Sequence, residues 1–217
     1  MNTIIWDWNG TLLDDTKICI DAMNILLLKR NLPLLSTRRY KAIFNFPVKS
    51  YYQKLGFNFE SEPFELPANE FIEEYNKKVV NSKLQTGSIK ALKYFKNKNC
   101  KQYVLSAMEQ NQLHSLVSYF KIDKYFEQIA GIDDHYASGK IERGKELFMK
   151  NNIEPECAVL IGDTIHDKDV AEALNCKCLL IANGHNSYTS LVKTGVPVYK
   201  DLNEVINKGI EQILKIK

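Results

Sequence analysis

The sequence predicts an α/β protein: a parallel sheet covered by helices on both faces and interrupted, after its first strand, by an all-helical block. Three observations predict this. From residue 86 onward, short apolar strands alternate with amphipathic helical segments, and strands separated by helices require crossover connections. Residues 16–83, by contrast, carry helical spacing throughout. The chain also opens on an apolar run, "TIIW", that reaches Asp7 and joins the same sheet ahead of the helical block.

Taken in order, Ile18, Ala22, Ile25 and Leu26 are spaced as one face of a helix over 18–30, with Pro33 just beyond its end. Further helices are predicted over 37–42, 48–55 and 69–80. The stretch "LKRNLPLLSTRRYK" within this block is basic and reads as a solvated face, with contact to an anionic substrate as the alternative. Beyond it, 88–98 is a helix and "QYVLSA" (102–107) a strand ending on small residues. Then come a helix over 111–120, the strand "FEQIAGI" and the glycine-bearing loop "DDHYASGK". The pattern continues with a helix over 142–152, the strand "CAVLIGD", a helix over 168–175, the strand "KCLLIA", a helix over 187–193, the short strand "VPVY" and a C-terminal helix.

Composition bounds the function classes. The 217 residues suffice for one sizeable core or two unequal domains, with 45% apolar and 25% charged residues, ordinary for a soluble globular protein. A net charge of +3 is too slight to argue for a nucleic-acid or membrane partner and suits a small anionic ligand. Cys19, Cys100, Cys157, Cys176 and Cys178 form no C-x-x-C pair and are odd in number, which points to free thiols in a reducing compartment. The opening "MNTIIWDWNG" has no positive leader, and no apolar run approaches the roughly 18 residues of a membrane helix. The expectation is a cytoplasmic protein; oligomeric state is not legible.

The stretch "TIIWDWNGTLLDD" poses the functional question. Asn9-Gly10 between apolar residues is a strong hairpin signal, because both residues tolerate positive φ. An aspartate at the strand end argues instead for a ligand site, since α/β sheets bind ligands beyond the carboxyl ends of their strands. Three other places on that edge carry reactive groups: Ser106 after "YVL", Lys140 after "YASG", and Asp163 with Asp167 in "LIGDTIHD". Each has a plain structural alternative. Asp163 is placed to cap a helix, Ser106 to serve as a cap or loop hydroxyl, and Lys140 to be a surface charge. Together they form a set suited to phosphoryl transfer. Asp7, Asp163 and a backbone carbonyl are hard oxygen ligands for Mg²⁺, Lys140 and Ser106 can hold the transferring oxygens, and Asp7 can attack to give an aspartyl-phosphate that water hydrolyses.

The pieces "DWNGT", "VLSA", "SGK" and "GDTIHD", in that order and with a helical insert after the first, resemble the haloacid dehalogenase-like (HAD) hydrolase superfamily, nearest its phosphoglycolate-phosphatase-like branch. The similarity runs through nearly the whole chain. It implies Asp7 as nucleophile, Ser106 and Lys140 as phosphate-binding residues with Gly10, Thr11 and Ala107 beside them, Asp163 as a direct Mg²⁺ ligand and Asp167 as its water-mediated partner. Lys145 is the rival for Lys140, set aside because it lies inside a predicted helix. The resemblance also implies a Rossmann-like core, residues 1–15 and 84–217, with a helical cap at 16–83 that selects a small phosphorylated substrate.

Asn9 departs from the family pattern. Phosphatases of this family usually carry an aspartate there, as general acid for the leaving alcohol and then base for water. An amide cannot exchange a proton in that way, although its backbone carbonyl can still bind the metal. Three readings follow: a phosphatase of low or selective activity; a reaction similar to that of phosphonoacetaldehyde hydrolases, with Lys49 or Lys54 of the cap forming a Schiff base; or a protein that binds a phosphorylated ligand without turnover. Haloacid dehalogenation needs no Mg²⁺, so the retained "GDTIHD" counts against it. Trp8 is expected to pack in the core or line the pocket, and His166 to face solvent, with proton donation as its alternative.

Overall fold

The computed structural model describes residues 2–132 and 139–208. Strand β1 (Thr3–Trp6) lies in the middle of a six-stranded sheet, between β4 (Lys101–Glu109) and β6 (Ala158–Gly162). Strand β5 (Gln128–Ile132) flanks β4, while β7 (Lys177–Ile181) and β8 (Val198–Tyr199) continue beyond β6, giving the order β5-β4-β1-β6-β7-β8. Every pairing is parallel. These strands are nearly continuous apolar runs because both faces are covered. Ile4 and Trp6 of β1 enter one apolar cluster, with Leu92 and Phe95 of helix α5 (Ser88–Asn97) and Leu113 and Val117 of α6 (Gln110–Tyr119). Ile5, one residue out of phase, enters the other, with Leu147 of α7 (Lys140–Asn151) and Val170 of α8 (Ile165–Ala173).

The helical block consists of α1 (Thr16–Lys29), α2 (Thr37–Ile43), α3 (Val48–Leu55) and α4 (Glu65–Val79). It leaves and rejoins the sheet through a short antiparallel pair, β2 (Leu13–Asp14) with β3 (Lys83–Leu84). Sequence periodicity did not reveal this pair, because two-residue strands have no period to read. The block shares the first apolar cluster through Met23, Leu27, Tyr40 and Tyr52. Arg30 braces it internally, its guanidinium reaching Glu62 at 2.6 Å and Glu70 at 2.9 Å. Most of the basic stretch therefore serves structure: Arg39 donates to the Lys54 carbonyl and Lys41 to the Asn183 carbonyl.

Helix ends differ from expectation by a few residues. Helix α4 starts four residues early, and β4 runs on to Glu109 through a register shift between Leu105 and Glu109. The helix expected over 187–193 is a short turn, α9 (Tyr188–Leu191), followed by 3-10 geometry ending at Gly195. Helix α10 (Leu202–Asn207) closes the described chain. All five cysteines are free. No helix among the described residues is long and apolar enough to cross a membrane.

Candidate active site

The parallel strands end on one edge, and β1 ends at its centre. The ladder continues one residue further, the Asp7 N–H donating to the Ile161 carbonyl at 2.9 Å, so Asp7 is pinned where the strand stops. The chain then turns rather than pairing back on itself. Gly10 adopts φ +75°, and a side chain there would collide with Asp163 and His185. The Asn9-Gly10 turn is thus a site loop, not a hairpin tip.

Three predicted residues, Lys140, Asp163 and Asp167, converge around Asp7. Lys140, the first residue of α7, is buried, with its ammonium 2.5 Å from Asp7 Oδ1 and 2.6 Å from Asp167 Oδ1. Lys145 is exposed and pairs with Glu142, so it lies outside the site. The Tyr136–Ser138 part of "YASG" lies outside the described residues. Asp163 is fully buried. Thr11 Oγ1 donates to its Oδ1 at 2.8 Å, and the His185 N–H donates to its Oδ2 at 2.5 Å. The cap of α8 is Thr164, not Asp163. Its hydroxyl and the Asp167 carboxylate form a reciprocal capping box that satisfies the helix end and leaves Asp163 facing the site. Carboxylate oxygens of Asp7, Asp163 and Asp167 lie within 4.8 Å of one another.

Ser106 sits at the start of the β4 irregularity, its Oγ accepting from the Met108 N–H at 3.1 Å and lying 3.4 Å from Asn9 Oδ1. Ala107 lines the cavity that opens beside Asp7 and Lys140. Trp8 is fully buried against Phe120 and does not line it. His166 corrects the expectation of solvent exposure: it stacks on Phe46 with ring centroids 4.4 Å apart, and its Nε2 is buried without a partner. Lys49 and Lys54 are exposed and do not line the cavity, and the Lys49 ammonium lies over the Phe59 ring.

Electrostatics follow from three buried carboxylates facing one ammonium. Burial pushes Asp7 up to about 8, with Asp167 and Asp163 adding to the rise and Lys140 opposing it. Burial likewise raises Asp163 to about 6. Burial also opposes ionisation of Asp167, but Lys140 and Thr164 outweigh it and hold that carboxyl low. Lys140 stays charged because Asp167 and Asp7 outweigh its own burial. The excess negative charge and the hard oxygen donors fit a small divalent cation.

A second polar group was not anticipated. Asp15, fully buried, accepts from the Gly10 N–H (2.9 Å), Asn9 Nδ2 (2.7 Å) and Tyr75 hydroxyl (2.7 Å). His185 Nε2 lies 3.3 Å from its other face, and Nδ1 meets the Tyr40 hydroxyl at 2.8 Å. Burial disfavours charge on both groups, yet their mutual attraction prevails, holding Asp15 low and raising His185 to about 9. Asn9 is therefore oriented by Asp15 and Tyr75, its amide nitrogen turned to them and its oxygen toward Ser106. His185 was within reach of the strand-end rule, because "ANGHN" follows the last long strand; Asp15 looked like a boundary residue.

Comparison with known proteins gives a consistent picture. A sequence model described as haloacid dehalogenase-like hydrolase matches residues 4–181. "Phosphoglycolate phosphatase 1" of Pseudomonas aeruginosa is 25% identical over 118 residues, 54% of this chain and 43% of that protein, so the match spans less than half of the relative. A haloacid dehalogenase-like family hydrolase from Streptococcus pneumoniae superposes with TM-score 0.82 at 18% identity, covering 96% of this chain and 98% of the other. A predicted phosphatase from Clostridium acetobutylicum gives 0.78 at 21% identity, covering 95% and 97%. At these identities the solved structures speak to the fold alone.

Proposed function

Because this chain belongs to the haloacid dehalogenase-like hydrolase family, we propose that it is a phosphatase acting on a small phosphorylated substrate, with Asp7 as the nucleophile. The observation that carries the reading is the buried convergence of Asp7, Lys140, Asp163 and Asp167 at the central strand end. Residues 1–15 and 84–217 form the core in this reading, and 16–83 the cap that selects the substrate.

A carboxylate oxygen of Asp7 attacks phosphorus, the bond to the leaving oxygen breaks, and the phosphoryl group passes to Asp7. Lys140 balances charge on the transferring oxygens and Ser106 hydrogen-bonds one of them; the protein's work is positioning and neutralisation. Asp7, Asp163 and the Asn9 carbonyl would hold Mg²⁺, with Asp167 acting through water, and the cation supplies the positive charge that offsets repulsion between the carboxylate and a phosphate dianion. Asn9 donates no proton to the leaving group. Proton transfer by a positioned side chain typically contributes on the order of 10² to 10⁴ in rate, so rates should depend steeply on leaving-group pKa.

The test is phosphate release from p-nitrophenyl phosphate and an alkyl phosphate, with Mg²⁺ or EDTA, for the wild type and Asp7→Asn. The expected outcome is metal-dependent release that is lost in the variant and strongly favours the aryl ester. Release that persists in Asp7→Asn overturns the assignment of the nucleophile, and no release of either ester overturns the phosphatase reading.

A further inference from the structure

Resting on that reading, we propose that the substrate is an aryl phosphate monoester: a single aromatic ring, without a second anionic group, whose leaving group is a phenolate. The cavity that opens from Asp7 and Lys140 has a volume of about 180 Å³. A cavity of about 150 Å³ in a protein interior holds one benzene molecule, so a single ring is of the size this space accepts. On the helical side the walls are aromatic, with Tyr40, Phe44, Phe46, Tyr51, Phe71 and Tyr75 among them.

Charge points the same way. Among the described residues, the basic side chains lining the cavity are Lys140, engaged by Asp7 and Asp167, His185, engaged by Asp15, and His166, stacked on Phe46. Of the basic residues of the helical block, Arg30 pairs with Glu62 and Glu70, and Arg39 and Lys41 donate to backbone carbonyls; none of the three lines the cavity. A carboxylate on the substrate in addition to the phosphate, as in phosphoglycolate, would enter an aromatic wall in which the described residues place no unengaged lysine or arginine. Among the described residues, two buried polar atoms at the cavity lack partners, Tyr51 Oη and His166 Nε2. A neutral hydroxyl or carbonyl on the ring would satisfy them.

Asn9 supplies an independent argument. When Asp7 displaces an alkoxide, the leaving oxygen needs a proton that residue 9 cannot give. A phenol ionises near pH 10, as tyrosine does, so the electron pair of the breaking P–O bond can depart on the phenolate unassisted. Water then attacks phosphorus, its proton passes to solvent, and phosphate leaves with Asp7 regenerated.

The experiment has a turnover arm and a binding arm on the wild-type protein with Mg²⁺. Benzyl phosphate and phosphoglycolate both release alkoxides, so their kcat/KM ratio reports the pocket; phenyl against benzyl phosphate reports the missing acid. Calorimetry with phenylphosphonate and phosphonoacetate reads the pocket without turnover. The expected results are a preference of at least tenfold for benzyl phosphate over phosphoglycolate and for phenylphosphonate over phosphonoacetate. Phenyl should exceed benzyl phosphate by at least a hundredfold. Phe46→Arg, at a half-buried wall position, should shift both pocket ratios toward the carboxylated ligand. Equal or reversed pocket ratios overturn the assignment of the ring site, and equal rates for phenyl and benzyl phosphate overturn the phenolate argument. Preferential phenylphosphonate binding with no turnover of any ester would instead sink the phosphatase reading and leave the ring site standing.

Discussion

Restoring the family's aspartate by Asn9→Asp should damage this protein rather than repair it. The Asn9 amide nitrogen lies 2.7 Å from Asp15 Oδ2, and Asp15 is fully buried. A carboxylate oxygen in its place would face another at that distance, a repulsion of about 6 kcal/mol at an effective dielectric of 20. The pair escapes by sharing a proton. Holding one carboxyl protonated at pH 7.5 costs about 1.4 kcal/mol for each unit above its ordinary pKa near 3.9, or about 5 kcal/mol.

At roughly 2–4 °C per kcal/mol for a chain of this size, the midpoint of thermal unfolding should fall by about 10 °C or more at pH 7.5. The shared proton corresponds to a carboxyl whose folded pKa is raised, so the deficit is absent where the unfolded chain is also protonated, near pH 4, and widens as pH rises. The double variant Asn9→Asp/Asp15→Asn restores a donor opposite an acceptor and should recover at least half of the loss. It cannot recover all, because His185 loses its ion-pair partner. Unfolding curves from pH 5 to 8 decide the matter. A single variant within 2 °C of wild type throughout, or a double variant showing the plain sum of the two losses, would refute the coupling.

Three further outcomes are expected. Millimolar Mg²⁺ should raise the unfolding midpoint, since about 2.7 kcal/mol is gained at a hundred times Kd, and Asp163→Asn should abolish most of that rise in a melting assay. Lys140→Met leaves Asp7 and Asp167 facing each other without their ammonium; breaking a buried pair typically costs about 3–5 kcal/mol, so a lower urea midpoint should accompany loss of phosphate release, with partial recovery of stability in Mg²⁺. His185 is raised to about 9, so its contribution is complete below about pH 6.5 and is lost as pH climbs through 9. The wild-type midpoint should decline from pH 7 to 9, and His185→Gln, measured in the same buffers, should be less stable at pH 7 and flatter across that range.

The sheet was legible because buried parallel strands are apolar runs bounded by polar strand ends, and the same feature gathers Asp7, Ser106, Lys140 and Asp163 on one edge. The pair β2 and β3 was not legible, since two residues each give no alternation to detect. Asp163 was open to reading as a helix cap because Asp and Thr are both good caps; the choice of Thr164 depends on Asp167 completing the box from N3. His166 looked exposed because the partner that covers it, Phe46, lies 120 residues earlier in the helical block. Asp15 has no local signature, and His185 has only its place after the last long strand. Their roles arise from contacts 170 residues apart.

Asn9 and Asp15 explain one another. An amide at residue 9 offers two donors, and both are used, one by the buried Asp15 carboxylate and one by the Tyr75 hydroxyl, which itself donates to Asp15. Asp15 also receives the Gly10 N–H and faces His185, whose other ring nitrogen meets Tyr40. Tyr40 and Tyr75 belong to α2 and α4, so the loop after the central strand is held by the helical block as well as by the sheet. The block's aromatic rings form the cavity wall, and two of their hydroxyls fix the turn beside Asp7. A carboxylate at residue 9 would have to share a proton with Asp15 to stay in this network. In the proposed reading, exchanging the acid for an ordered amide suits a leaving group that departs without a proton, and the aromatic wall of the cavity is where such a leaving group fits.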